Sequence, residues 1–210
     1  MIGVAIVCWT LGRGEPAHVD RPVAPPASPM TQLIQSTDAL QASLRRSYPS
    51  WSPEADLQRN LVRRLVGGSM DYGEISRRAL GGTWVKLSEE DRSEFVASLG
   101  KLIESRYRMR ETYLGSDLHI RFDRETVSSH GTASVFAMLS GRSHGKTRQM
   151  AVEYRLLRKG DRWVVYDLVT DGESLLESYR DMFDRIIAHQ SFGVLLYRIQ
   201  RQADVGEREE

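Results

Sequence analysis

One carboxylate stands where an apolar side chain is expected. Asp167 interrupts the strand-like run Arg162 to Val169, most of whose other residues are apolar. An ionised carboxylate that leaves water needs a partner, and Arg180, in the next helical segment, could supply it. Two roles are open for Asp167: the acid of a small-molecule enzyme with an enclosed pocket, or half of a structural ion pair with Arg180. We favour the ion pair, because structural networks also hold carboxylates in unusual surroundings.

The other reactive residue types form no recognisable catalytic or metal motif. The five histidines never have a metal-ligand spacing, and Cys8 is the only cysteine, so neither a metal site nor a disulfide is predicted. Gly172-Glu173-Ser174 begins like the turn around a hydrolase nucleophile, but Leu176 replaces the second glycine. The pairs Gly67-Gly68 and Gly81-Gly82 are typical of helix ends. We therefore expect no enzyme activity, no cofactor and no metal.

The composition predicts one compact domain behind an export segment. A chain of 210 residues with 40% hydrophobic content and a net charge of +1 can bury one sizeable core, and its charge argues against a nucleic-acid binder. The apolar run Met1 to Leu11 resembles the core of a secretory signal whose basic start is missing. Residues 15–29 hold five of the seven prolines and predict a tether. We expect a signal-like remnant and tether over 1–29, one domain over 30–203 and a charged tail over 204–210.

Helical periodicity dominates the first half of the chain. Apolar residues recur at spacings of three and four from Thr31 to Leu44, and again, after a break at Pro49 and Pro53, from Leu57 to Leu65. Three polar pairs then have the spacing of a helix N-cap and its partner. They are Asp71 with Glu74, Ser88 with Asp91, and Ser174 with Glu177.

Between the second and third of these pairs the period changes to two, which indicates strands. The first predicted strand begins at Asp117. Three more cover Thr132 to Leu139, Gln149 to Leu157 and Arg162 to Val169, with loops at 140–147 and 159–161. Short loops favour antiparallel neighbours. The order of elements predicts an α+β fold, with helices packed on one face of a curved antiparallel sheet of about four strands.

Large apolar side chains cluster on the inner faces of these elements. Such a set has the same sequence signature whether it fills a solid core or lines a pocket. We expect a void between the sheet and the stripe Phe95, Leu99, Leu102 and Ile103, on the order of 300 Å³ or more.

Two blocks of sequence resemble the MlaC, or toluene-tolerance, family. Residues 71–107 contain an acidic-aromatic pair, an Ala-Leu-Gly turn, a tryptophan and a helix that a tyrosine closes. Residues 152–187 are similar to the family's tyrosine strand, Gly-x-x-Trp turn, Tyr-Asp strand and Ser-Leu-x-x-x-Tyr-Arg-x-x-Phe helix. The order and spacing of both blocks match, although Tyr72 stands where the family often has phenylalanine.

The resemblance implies a periplasmic carrier in which phospholipid acyl chains slide between a curved sheet and its helices, without a cofactor. Such a carrier moves phospholipid between an outer-membrane lipid complex and an inner-membrane ABC transporter with a substrate-binding ring component, and so maintains outer-membrane lipid asymmetry. It would be a monomer. The lipid-binding residues expected from the apolar faces and the resemblance are Leu80, Trp84, Phe95, Leu99, Leu102, Ile103, Tyr107, Val152, Tyr154, Leu156, Tyr166, Leu168, Leu176, Tyr179, Phe183 and Ile187.

Two alternatives remain beside the carrier: the enzyme that uses Asp167, and an interaction module with a solid core. For the carrier we expect the mouth of the pocket to move at Gly81, Gly82 and Trp84. Glycines permit backbone change, and an indole can cover apolar surface while one edge stays wet.

Overall fold

A computed structural model of the protein describes residues 27–44, 48–49, 51–114, 119–143 and 146–208. The signal-like run with Cys8, and the tether as far as residue 26, lie outside the described residues. The helices are α1 (Pro29–Leu44), α2 (Pro53–Ser69), α3 (Tyr72–Leu80), a 3₁₀ helix (Gly81–Lys86), α4 (Glu89–Leu114), α5 (Leu175–His189) and α6 (Phe192–Arg208). The strands are β1 (His119–Val127), β2 (Thr132–Ser143), β3 (Lys146–Lys159), β4 (Arg162–Thr170) and β5 (Glu173–Ser174).

The strands form one antiparallel sheet in the order β1-β2-β3-β4-β5. The α+β prediction is therefore confirmed, with the two-residue β5 added to the four expected strands. The predicted loop at 140–147 is too long, because β2 and β3 stay paired as far as Ser143 and Lys146. α6 also runs to Arg208, so most of the predicted charged tail is helical.

All three predicted N-caps are formed. The side chains of Asp71, Ser88 and Ser174 accept hydrogen bonds from backbone amides three residues later, at 3.0, 3.1 and 3.0 Å. Each cap satisfies one amide that the first turn of a helix leaves without a partner. These local signals set where α3, α4 and α5 begin.

A β-bulge at Tyr166 changes the facing of β4. Tyr154 pairs with Leu168 and Arg155 with Asp167, but the next residue, Leu156, pairs with Val165. The extra residue, Tyr166, is thereby removed from the alternation and packs against buried side chains of the helices. Although both belong to the expected lipid-binding residues, Tyr166 and Leu168 therefore face different apolar regions.

The apolar side chains form two separate regions. We call the first the helical core; it lies among α3, α4, α5 and α6. Its buried members are Ile75, Ala79, Leu80, Phe95, Leu99, Leu102, Ile103, Leu176, Tyr179, Phe183, Leu195, Ile199 and Ala203. The second is the inner face of the sheet, which the hairpin of α1 and α2 covers. Its buried members are Ala133, Val135, Ala137, Leu139, Val152, Leu156, Trp163 and Val165, together with Leu33 of α1.

None of the described helices is long and apolar enough to cross a membrane.

Candidate functional site

A cavity of about 90 Å³ lies between the α1–α2 hairpin and the inner face of the sheet. Its walls are mostly apolar, with hydroxyl groups from Ser36, Thr37 and Ser69 on the hairpin side and from Tyr154 on the sheet. The lining residues are Leu33, Ser36, Thr37, Leu40, Leu65, Ser69, Met70, Ile120, Tyr154, Val165 and Leu168. A site of this composition can hold a hydrocarbon chain, because the chain and the apolar walls are both removed from water when they come into contact.

Helix and strand periods bring these residues together. The α1 contributors occupy positions 33, 36, 37 and 40, a spacing that places them on one side of a helix. On the sheet, Tyr154 and Leu168 are direct cross-strand partners, and Val165 follows on the same face because of the bulge. The cavity is thus lined by one row of α1, the end of α2 and side chains of β1, β3 and β4.

Among the described residues, few polar contacts hold the hairpin on the sheet. The Gln32 side chain accepts a hydrogen bond from the backbone amide of Trp163 at 2.9 Å and donates one to its carbonyl. The Glu125 carboxylate accepts a hydrogen bond from the Met30 amide at the start of α1, at 2.8 Å. After α2, the Asp71 amide donates to the Val165 carbonyl at 2.8 Å. The hairpin is therefore fixed at its two ends, and apolar contact holds it in between.

Tyr154 brings the only polar group of the sheet residues that line the cavity. Burial raises the pKa of its phenol to about 12, so the ring is neutral at physiological pH. The ring packs at 6.2 Å from the ring of Phe122, and within the described part of the chain its hydroxyl has no hydrogen-bond partner. The hydroxyl can therefore donate to an acceptor on a ligand.

The structure divides the predicted lipid-binding residues between the two apolar regions. Tyr154 and Leu168 line the cavity, and Val152 and Leu156 lie beside them on the same sheet face. The helical core holds Leu80, Phe95, Leu99, Leu102, Ile103, Leu176, Tyr179 and Phe183, with Trp84, Tyr166 and Ile187 packed against it. The side chain of Tyr107 lies outside the described residues.

The predicted location of the cavity, between the sheet and the stripe on α4, is wrong. No described residue of α4 lines it, and the observed volume is below the roughly 300 Å³ we expected. The α4 stripe meets other helices instead: Phe95 packs edge-on to Phe183, with ring centroids 5.5 Å apart, and lies 5.8 Å from Phe192. Sequence reasoning found the α1 stripe that includes Leu33 and Leu40 but assigned it no site.

The carboxylate of Asp167 is 1% exposed and fully engaged. It accepts hydrogen bonds from the Ser174 hydroxyl at 2.7 Å and the Leu176 amide at 2.9 Å, and pairs with Arg155 at 3.2 Å. The predicted pair with Arg180 is not formed. Arg155 is the cross-strand partner of Asp167, whereas Arg180 donates to the carbonyl of Arg78 at 2.7 Å. Asp167 is thus a structural residue, but its partners are Arg155, Ser174 and the Leu176 amide.

The segment expected to open the pocket lies away from the cavity. Gly81 ends α3 with a positive φ of 48°, a conformation that favours glycine. The Arg92 guanidinium stacks over the Trp84 ring at 5.4 Å and donates to its carbonyl at 3.0 Å. Trp84 thus packs at the edge of the helical core.

Among the described residues, no group of three histidine, cysteine, aspartate or glutamate side chains could hold a metal ion.

Comparison with known proteins agrees with this architecture. The chain is 22% identical over 186 residues to the "Intermembrane phospholipid transport system binding protein MlaC" of Haemophilus influenzae, covering 88% of this chain and 86% of that protein. A phospholipid-binding protein from Ralstonia solanacearum, solved with a phospholipid, has the same fold: the TM-score is 0.71 and the identity 17%, over 86% of this chain and 99% of that one. The model of the MlaC protein family matches residues 35–201. This match covers more than half of the chain, including most residues of the cavity and of the helical core, and the chain therefore belongs to the MlaC family.

Proposed function

We propose that the protein is a periplasmic carrier that binds a phospholipid between the α1–α2 hairpin and the inner face of the sheet. The observation that carries the proposal is the aliphatic cavity at this place. Membership of the MlaC family supports it, as do the phospholipid functions named for the two relatives. Of the residues predicted from sequence, we retain Val152, Tyr154, Leu156 and Leu168 as lipid contacts.

The size of the cavity implies that binding separates the hairpin from the sheet. A volume of about 90 Å³ is too small for a pair of acyl chains, since drug-sized ligands already occupy roughly 300 Å³ or more. Apolar contacts along α1 can be exchanged for contacts with acyl chains at little cost, because both are hydrocarbon. The polar contacts at the two ends of the hairpin can persist while its middle moves outward.

Energetics favour transfer by docking over release into water. Each buried CH₂ group contributes about 0.8 kcal/mol, so two long chains represent on the order of tens of kcal/mol that release into water would forfeit. The partners that we propose are an outer-membrane lipid complex and an inner-membrane ABC transporter with a substrate-binding ring component. Movement of phospholipid between them would maintain outer-membrane lipid asymmetry.

The two alternatives have less support. An enzyme based on Asp167 would need a free carboxylate at a cavity. Both oxygens of Asp167 accept hydrogen bonds within the fold, and Asp167 does not line the cavity. A module with a solid core matches the helical core but leaves the gap at the sheet without a role.

Lipid that co-purifies with the protein provides the direct test. We expect native mass spectrometry and solvent extraction of the folded wild-type protein to yield a diacyl phospholipid. Ser36→Trp, which places an indole in the cavity wall, should reduce the bound lipid, whereas Ser129→Trp in an exposed turn should not. A wild-type protein that neither carries nor takes up phospholipid would contradict the proposal.

Shuttling requires a second measurement. Fluorescent phospholipid bound to the protein should appear in acceptor vesicles that contain the inner-membrane transporter, and much more slowly in vesicles without it. Equal transfer to both kinds of vesicle would leave lipid binding intact and remove the partner from the proposal.

A further inference from the structure

One apolar stripe of α2 leads from the cavity to the protein surface. Leu57, Leu61 and Leu65 are spaced by four residues, so they succeed one another along one side of the helix. Leu65 lines the cavity, whereas Leu61 is 39% and Leu57 68% exposed. Trp51, just before α2, is 85% exposed. Exposure therefore rises step by step from the cavity to the tip of the hairpin.

This exposure is concentrated on one part of the molecule. Of the seven large apolar side chains that are exposed in the described part of the chain, four belong to the hairpin: Ile34, Trp51, Leu57 and Leu61. A helix that only covered a sheet would carry polar residues at its outward positions. Clustered exposed apolar side chains mark contact surfaces. The outer half of the stripe is thus suited to a contact that the protein makes with another molecule.

The position and charge of the stripe indicate what it contacts. Because the stripe is continuous with the aliphatic cavity through Leu65, the same hydrocarbon that fills the cavity can lie along it. Arg64 is exposed beside Leu61 and Leu65, and it makes no ion pair within the described residues. Its guanidinium suits a phosphate oxygen. An exposed tryptophan at the outer end fits the boundary between acyl chains and water.

We propose that Leu57, Leu61 and Leu65, with Trp51 at the outer end, form the entry track along which an acyl chain of the phospholipid passes into and out of the cavity. This inference rests on the proposed function. A chain that moves along the leucines stays in apolar contact at each step, which lowers the barrier to transfer relative to passage through water.

The rate of lipid loading tests the track. Wild-type protein freed of lipid would be mixed with vesicles of phosphatidylethanolamine and phosphatidylglycerol that contain a pyrene-labelled phospholipid, and uptake followed by the loss of excimer fluorescence. We expect the Leu57→Ser/Leu61→Ser protein to load about tenfold more slowly, since each leucine loses apolar contact with the moving chain. The amount of lipid bound at equilibrium should not change. Val85→Ser, at a residue that is 73% exposed on the 3₁₀ helix, serves as the matched control.

Each outcome separates the track from the carrier. Equal loading rates for wild type and the double variant would overturn the track and leave the carrier standing. A wild-type protein that takes up no phospholipid would contradict both the entry track and the carrier function. If sedimentation shows a wild-type dimer that the double substitution converts to a monomer, the stripe is an interface between two copies, and the track is overturned.

A second measurement detects the contact itself. Vesicles with brominated acyl chains should quench the part of the fluorescence that wild type has and Trp51→Phe lacks, because bromine quenches an indole only at short range. This subtraction removes the signals of the other three tryptophans, Trp9, Trp84 and Trp163. Unquenched Trp51 during loading would overturn the track.

Discussion

The helical core and the inner face of the sheet contain similar apolar residues, but they pack differently. In the helical core Phe95, Leu99 and Phe183 are completely buried, and the rings of Tyr179 and Phe183 stack at 5.4 Å. On the sheet face, Tyr154 and Leu168 remain partly exposed beside a gap. Large aromatic side chains from several helices fill space from many directions, whereas one row of α1 side chains meets a flatter surface. Tightly packed aromatic rings thus distinguish the helical core, and a cavity beneath the hairpin distinguishes the sheet face.

Polar contacts of β4 join the two regions. Asp167 on β4 accepts the Leu176 amide at the start of α5. In α3, Arg78 stacks over Tyr166 of β4 at 4.2 Å and donates to Glu74 at 2.6 Å. The start of α1 is attached to the sheet alone, through Met30 and Gln32, so this end of the hairpin can move while the helical core and the sheet stay joined.

The largest loss of stability is expected from a substitution in the helical core. Phe95→Ala should lower the free energy of unfolding by about 3–5 kcal/mol, because it removes a fully buried ring and leaves a cavity. The lipid bound per folded molecule should stay the same. Chemical denaturation and lipid extraction of the soluble fraction would measure the two quantities, with exposed Val85→Ala as control. A large loss of lipid from protein that is still folded would mean that the helical core also serves the ligand.

A substitution at Asp167 should cause an intermediate loss of stability. Asp167→Asn weakens its interactions with Ser174, Leu176 and Arg155, and should cost about 2 kcal/mol, the range for hydrogen bonds to a charged group. The cost stays below that of a fully buried ion pair because the Arg155 side chain is 34% exposed. Thermal unfolding would show it, and Asp184→Asn on the exposed side of α5 should have little effect. Equal melting temperatures for the two variants would contradict this role.

A smaller effect on stability is expected where α1 meets the sheet. Gln32→Ala removes both hydrogen bonds to the Trp163 backbone and should cost about 1 kcal/mol. Hydrogen exchange should accelerate in α1 but not in α4, and lipid exchange should become faster. Gln35→Ala, at an exposed position of the same helix, is the control. Uniform acceleration of exchange across the molecule would show that the hairpin does not open independently.

The smallest effect involves Glu74 and depends on pH. Hydrogen bonds from Arg77, above all, lower the pKa of this carboxyl from 4.5 to about 2. Because the folded pKa is the lower one, the stabilisation is complete above pH 4.5, decreases as the pH falls, and is lost near pH 2. Glu74→Gln should therefore lower the melting temperature slightly at pH 7 and progressively less below pH 4.5, with Glu177→Gln as control. A difference that grows on acidification would contradict this sign.

Local signals in the sequence predicted the frame of the fold. The caps at Asp71, Ser88 and Ser174 follow from short-range hydrogen bonds, and the alternation of β2 to β4 follows from burial of one sheet face. The resemblance to the MlaC family pointed to the function, and the family match confirms the membership.

The position of the site depended on features that periodicity does not encode. An apolar helix stripe does not specify its partner. The sequence therefore predicts that Phe95 and Leu99 face the sheet, whereas in the structure they face other helices. The bulge at Tyr166 leaves no mark in the pattern, because both neighbouring residues are also buried. The sequence pattern does not predict Arg155 as the partner of Asp167, because cross-strand register, and not closeness in sequence, brings the two residues together.

The separation in sequence between the hairpin and the sheet has a consequence for folding kinetics. Strands of the sheet pair with their neighbours in sequence, whereas the Met30–Glu125 and Gln32–Trp163 contacts join residues 95 and 131 positions apart. Contacts between distant residues carry the larger cost of loop closure and form late. During refolding, the sheet should therefore form while its inner face is still uncovered. For that interval, the surface on which we propose that lipid binds is the one most open to aggregation.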